Sequence, residues 1–288
     1  MKRFVTALLM LITLPLHADT VIRHLSGEIP DDTRNAYFLA VLQLALEKTP
    51  DQGSFQLQPA TETMTQSRAL QRLSDGEGID VVWSMTSIAR EKQNRPIRIP
   101  LLKGLMGYRL LIIRAEDQSW FRRVQTIDQL RELRAGQGHD WPDTEILRAN
   151  GLAVEATVDY DSLFRMLQLG RFDYLPRAIN EPWEELALRP GRGLAVEEGL
   201  MLYYPTAEYF FVRRNNNALA ERIELGLRRA IADGSFDKLF REHPVNANAF
   251  GKANVLKRRI IRLDNPLLPP ETPFDQAELW WAPLRSEL

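Results

Sequence analysis

Short apolar runs alternate along this chain with longer stretches whose apolar positions recur every three or four residues. A brief apolar or alternating run fits a strand, and the three-to-four spacing fits one face of a helix. On that basis strands are expected over residues 20–25, 54–59, 78–83, 105–114, 134–137, 153–158, 172–175 and 207–213. Helices are expected over 35–48, 64–73, 126–133, 143–150, 162–169, 180–188 and 218–233. Strand and helix alternate almost throughout, which implies parallel sheets and an α/β class. Beyond Phe240 the rhythm breaks. The chain turns rich in Asn, Arg and Pro, and the prolines at 266, 269 and 270 remove donors that regular elements need. Leu279, Trp280 and Trp281 are nonetheless too apolar for a free tail. An extended segment packed over the folded body is expected instead.

Two segments echo each other. Residues 70–82 read LQRLSDGEGIDVV, and residues 163–175 read LFRMLQLGRFDYL. In both, a helix ends at Gly and passes through an Asp into an apolar strand. Gly suits that position because it adopts the left-handed conformation that closes a helix without a Cβ clash. Two such units suggest two similar α/β lobes.

The N-terminus bears on compartment. Lys2 and Arg3 precede an apolar run, residues 4–16, and Leu16-His17-Ala18 follows as a small-residue cleavage pattern. This is the layout of a secretory signal, and the run is short for a membrane span. A mature chain from Asp19 is expected, exported to the periplasm; an uncleaved N-terminal anchor is the alternative. There is no Cys, which excludes a disulfide scaffold and thiol chemistry. Setting aside Lys2 and Arg3, 35 basic residues face 38 acidic ones, a balance that argues against a nucleic-acid partner. Thirty of the 37 basic residues are Arg. Nucleotide composition is one cause; recognition of carboxylate or phosphate by the planar guanidinium is the other.

Catalytic patterns are missing. His24, His139 and His243 stand apart, with no pair at metal-ligand spacing. There is no Gly-x-Ser-x-Gly elbow and no phosphate loop. Neither an enzyme nor a metal or cofactor is expected. Open α/β sheets instead bind ligands beyond the carboxyl ends of their strands. One strand exit carries Trp83, Ser84, Thr86, Ser87 and Arg90; the echoing exit carries Arg177, Asn180 and Glu181. Arg90 and Arg177 facing each other would clamp an anionic solute. Either could instead be an ion-pair partner of a neighbour such as Glu91 or Glu181. A third candidate is the Gly-rich segment 136–144, where His139, Trp141 and Thr144 lead into a helix whose free N–H groups attract anions. An ordinary capped loop is the alternative there, and Asp140 and Asp143 oppose a purely anionic ligand.

Several segments together resemble the family 3 extracellular solute-binding proteins, which have the two-lobed type II periplasmic-binding-protein fold. They are the two echoing units, MTSIARE at residues 85–91, LAERIELGL at 219–227 and ADGSFDKL at 232–239. The resemblance covers residues 20–244. It implies lobe 1 at 19–109 and 208–245 and lobe 2 at 110–207, between the leader read at 1–18 and the tail at 246–288, which is expected to pack on lobe 1. Residues 105–114 and 207–213 would be the hinge strands. Amino-acid binders of the family hold the α-carboxylate with a Thr-x-Thr-x-x-Arg-like segment. Arg90 matches its Arg and Ser87 its second Thr, but Met85 stands at the first. The Asp that would hold an α-ammonium falls at Ala178, beside Arg177, and the Pro-aromatic signature is absent from residues 97–102 (IRIPLL). The resemblance therefore implies a monomeric protein that closes on a small polar, anionic solute for an ABC-type transporter. The alternative it allows is a sensing module of the same fold docked on a membrane receptor.

Overall fold

A computed structural model describes residues 20–26 and 34–281. The leader expected at 1–18 lies outside the described residues. The strands are β1 Thr20–His24, β2 Phe55–Pro59, β3 Val81–Met85, β4 Arg95–Ile97, β5 Tyr108–Arg114, β6 Arg134–Gly138, β7 Ala153–Thr157, β8 Tyr174–Ala178, β9 Leu194–Tyr203, β10 Glu208–Val212 and β11 Arg259–Arg262. They form two sheets, ordered β2-β1-β3-β10-β4 and β11-β9-β5-β8-β6-β7. The chain passes from the first sheet to the second over residues 98–107 and returns over 204–207. We call the body around the first sheet lobe 1 and that around the second lobe 2. The α/β class is as expected, but the sheets are mixed rather than parallel. β10 runs against β3 and β4, and β5 runs against β8 and β9. β5 and β10 are fed from the other lobe, so they enter opposite to strands fed by local helices.

The echo has a structural basis. Gly76 and Gly170 both take positive φ, +77° and +68°, as each helix ends. The Asp that follows then brackets one residue of a neighbouring strand, Arg23 near the end of β1 in one case and Arg134 at the start of β6 in the other. In lobe 1, Asp80 donates its N–H to Arg23 O at 2.7 Å and accepts from Arg23 N at 2.8 Å. In lobe 2, Asp173 donates to Arg134 O at 2.8 Å and accepts from Arg134 N at 2.9 Å. Each Asp thereby sets the register with which its strand joins the sheet.

β9, the longest strand, is missing from the sequence expectation because Glu197, Glu198 and Gly199 interrupt its apolar pattern. Its pairing with β5 shifts register between Leu110 and Ile112. Glu197 is fully buried there, and its carboxylate accepts Gly199 N and Gln118 Nε2, each at 2.9 Å, as well as Leu200 N. A side chain that reads as a strand breaker thus satisfies the amides the irregularity frees.

The tail also departs from expectation, because it is not confined to lobe 1. β11 pairs in parallel with β9 of lobe 2, Arg259 to Arg262 against Leu200 to Tyr203, with Ile261 buried. It covers an edge that would otherwise present unpaired backbone groups. The chain then returns to lobe 1, where Leu279 and Trp280 join the core and Trp280 Nε1 donates to Pro273 O at 2.8 Å.

Lobe 1 is braced by the helices Asn35–Glu47 and Asn217–Ala232, which pack on each other. Gly226 makes their approach possible: a Cβ there would lie 1.8 Å from the Ala45 carbonyl oxygen. Gly226→Ala should therefore cost about 1–3 kcal/mol in urea unfolding, the range for overpacking. Gly251→Ala, in a helix where a Cβ would meet nothing, is the control. Equal stability of the two variants would refute the close approach.

Candidate functional site

The lobe 1 wall is built at the end of β3. The pleat sends alternate side chains to opposite faces. Trp83 turns into the lobe 1 core, stacks on Phe38 at 5.9 Å and donates to Asn35 Oδ1 at 2.9 Å, so it lies away from the cleft. Ser84 points the other way. After it, the Ser87 hydroxyl accepts Arg90 N at 3.2 Å and caps the helix Ile88–Gln93. That cap places Arg90 one turn in, buried, under the strand end. Arg90 Nη1 donates to Ser84 Oγ, to Gln66 Oε1 at 3.1 Å and to Met85 O at 3.1 Å. Its Nη2 donates to Asp140 O in lobe 2 at 2.9 Å. Glu91 is not its partner. That carboxylate takes the Thr86 hydroxyl at 2.6 Å and Arg98 at 2.5 Å.

The lobe 2 wall is built on β8. Arg177 and Ala178 belong to this strand, which ends later than the apolar pattern suggests. Arg177 is buried beneath the Trp141 ring, 4.6 Å from its centroid. Its Nε donates to both Glu185 oxygens at 2.9 and 3.0 Å. Its Nη2 lies 2.7 Å from Glu185 Oε1 and 3.0 Å from Glu181 Oε1. The ion-pair alternative thus describes Arg177, though the pair is buried rather than on the surface. Burial pushes the Glu185 carboxyl up, but the Arg177 charge and hydrogen bonds outweigh it and hold the pKa below its ordinary value. Burial dominates at Glu181 and raises it, with Arg177 only partly offsetting the shift. Glu181 Oε2 accepts Ala178 N at 2.8 Å, so a carboxylate stands beside the position where the family pattern would put its Asp.

The other expected residues divide. Trp141 lines the cavity between the lobes. Thr144 is buried and donates to Gly138 O at 2.7 Å, which fixes the turn instead of offering a ligand group. Asn180 crosses to lobe 1, where its Nδ2 donates to Asn246 Oδ1 at 3.2 Å. His139 is exposed, with its Nδ1 3.7 Å from Asp140 Oδ1, outside the cavity lining.

The cavity itself is small, about 50 Å³. Arg34, Arg109 and Glu208, absent from the sequence reading, complete it together with Asp143, which that reading took only as a charge opposing an anion. Arg109, on β5, lies 2.9 Å from Asp143 Oδ1, and the Tyr204 hydroxyl donates to the same carboxylate. Glu208, the first residue of β10, is buried with its Oε2 unbonded. Burial, reinforced by Glu181 and opposed by Arg109, raises its pKa to about 8. A signal for both residues was present. Arg109 interrupts the apolar run LMGYRLLIIR and Glu208 opens EYFFV, and a charge within a buried strand is rarely left unpaired without function.

No family model matches the sequence, and no curated protein matches it significantly. Solved structures do match. An ancestral arginine-binding protein bound to arginine aligns with a TM-score of 0.59 at 17% identity, over 78% of this chain and 98% of its own. The GluR0 ligand-binding core in complex with L-glutamate aligns at 0.59 and 14% identity, over 77% and 97%. The VFT2 domain of Bordetella pertussis BvgS aligns at 0.56 and 15% identity, over 76% and 91%. The chain has the type II periplasmic-binding-protein fold. In this type II fold the cavity sits beyond the carboxyl ends of β3 and β8, where an α/β sheet offers its ligand position. The neighbours are covered almost completely and this chain is not, so it carries segments beyond the shared type II body.

Proposed function

We propose that this chain is an exported, non-enzymatic solute-binding protein. It would take a small polar solute between its lobes and present it to an ABC-type transporter in the periplasm. The crossing segments 98–107 and 204–207 would act as the hinge. The observation that carries the reading is the buried Glu208 carboxyl, with one oxygen unbonded, facing a cavity lined from both lobes. An anionic solute clamped between Arg90 and Arg177 has less support, because Arg177 is engaged by Glu185 and Glu181. Arg34, Arg109 and Arg177 around the cavity are balanced by Asp143, Glu181 and Glu208. That balance favours a solute with a positive group for Glu208 as well as an acceptor for Arg109. Neighbours whose names carry arginine, glutamine and L-glutamate agree with such a solute.

A ligand that binds only the folded state raises the melting midpoint by mass action. In a thermal-shift panel, zwitterionic and amine-bearing solutes should raise the midpoint and simple mono- and dicarboxylates should not. A rise with the carboxylates alone would return the anionic solute to first place. A flat response across the panel would count against solute binding. A second reading, a sensing module docked on a membrane receptor, is favoured by the tail that spans both lobes. Recovery of membrane partners that drops when residues 250–288 are removed would support it.

A further inference from the structure

We infer that the chain closes its own lobes, with Asp140 as a latch across the cleft and the tail as a strap across the hinge. This conformational device goes beyond solute binding, since it operates before any solute arrives.

The latch lies at the cleft. Asp140 follows β6 in lobe 2, and its side chain is only 7% exposed. One carboxylate oxygen accepts Ser67 N at 2.8 Å, in the first turn of the lobe 1 helix Gln66–Asp75. Its carbonyl accepts Arg90 Nη2 at 2.9 Å. Lobe 2 thereby supplies, from its own chain, acceptors for two lobe 1 donors. A carboxylate at a helix N-terminus is favoured by the free amides and the helix dipole. Two further contacts cross the cleft. The Arg34 guanidinium stands 4.1 Å over the Tyr160 ring, and Asn180 donates to Asn246.

The strap lies over the hinge. From Ala253 in the lobe 1 core, the tail reaches lobe 2 as β11 and returns to lobe 1 at Trp280. On the way it bonds to both crossing segments. Leu263 N donates to Tyr203 O at 2.8 Å, at the end of β9, and Asn265 Nδ2 to Pro205 O at 2.9 Å, in the return crossing. Trp281 N donates to Lys103 O at 2.9 Å, at the outward crossing. Ile88 N, at the start of the Arg90 helix, donates to Leu267 O at 2.9 Å. Rotation about the crossings would strain the tail between its strand in lobe 2 and its anchors at Ile88, Pro205 and Lys103. The tail also makes two additional covalent passages between the lobes, which limits how far they can separate.

A solute must therefore enter a protein whose open form is rare. Entry is slowed by the rarity of the open form, and releasing the latch should speed association.

The chain has no Cys, so spin labels can be placed cleanly. Thr63→Cys in lobe 1 and Glu145→Cys in lobe 2, both exposed, report the separation by pulsed electron-electron resonance. The full chain is first freed of bound small molecules by dialysis against sub-denaturing urea. It should show a single short distance, with any open component below about a tenth. Adding Asp140→Ala and Trp280→Ala together should make a longer distance the major component. A mixed distribution in the labelled parent, or an unchanged one in the double variant, would overturn the inference. Far-UV circular dichroism checks that the double variant folds. Where it does not, Asp140→Ala alone is read, and an unchanged distribution there also overturns the inference.

Discussion

Glu208→Gln should stabilise the protein, and the gain should grow as pH rises from about 4.5 to about 8. The carboxyl has an ordinary value of 4.5 and is raised to about 8 in the folded chain. Burial is the main cause: β10 places this side chain at the cleft floor with one oxygen unbonded. The sign follows from proton counts. Below the ordinary value, folded and unfolded chains both hold the proton and nothing is lost. Between the two values only the folded chain holds it, so unfolding releases a proton and stability falls as pH rises. Above the raised value the loss is complete. At about 1.4 kcal/mol per pKa unit, it reaches on the order of 5 kcal/mol. Gln keeps the shape and cannot ionise, so the variant lacks this slope. Urea unfolding of both proteins across that window gives the test. The curves should meet at the acid end and separate steadily toward the alkaline end. A constant difference would mean that Glu208 is not strained by burial. A solute with a positive group should lower the Glu208 pKa, so a binding solute should also flatten the parent's slope.

This group also marks where the sequence was legible and where it was not. The local signals held. The two Gly-to-Asp units and the helices flanking the cleft depend on neighbours within a few residues. Of the residues expected at the cleft, Arg177, Trp141 and Glu181 line the cavity and follow or end strands whose apolar patterns are plain. Arg109 and Glu208 belong to the strands themselves, where a single charge reads as an interruption. Their meaning depends on Asp143 and Glu181, which the fold brings up from distant parts of the chain. β9 was hidden for a related reason. Glu197 looks like a surface charge until the register shift beneath it shows which amides it bonds. The direction of β5 and β10 was hidden as well, because periodicity specifies a strand and not the lobe that feeds it.

Glu185→Ala should be the most damaging single change at the site, costing about 3–5 kcal/mol at neutral pH, the range for breaking a buried ion pair. Arg177 is nearly inaccessible and makes its three closest contacts to Glu185. The Tyr160 hydroxyl donates to the same carboxylate. Without it, Arg177 keeps the Trp141 ring and Glu181, whose own carboxyl is already raised by burial, and Tyr160 loses its acceptor. A guanidinium cannot shed its charge to escape, so the desolvation penalty is borne in full. The pH dependence runs opposite to that of Glu208. The Glu185 pKa is lowered from 4.5, so the pair stabilises the protein fully above that value. The contribution declines as pH falls below 4.5 toward the folded value, because the unfolded chain then binds the proton more readily. The difference between parent and Glu185→Ala should therefore be largest near neutrality and shrink in acid. Arg177→Met with Glu185→Leu separates the cost of burying charge from the cost of orphaning it. Removing both charges should recover much of the loss, since apolar replacements of buried pairs are often neutral. Glu181 still accepts Ala178 N in that variant. A Glu185→Ala cost below about 1 kcal/mol would place the pair with solvated surface bridges. Arg177 would then be free enough to serve the anionic solute that the geometry disfavours.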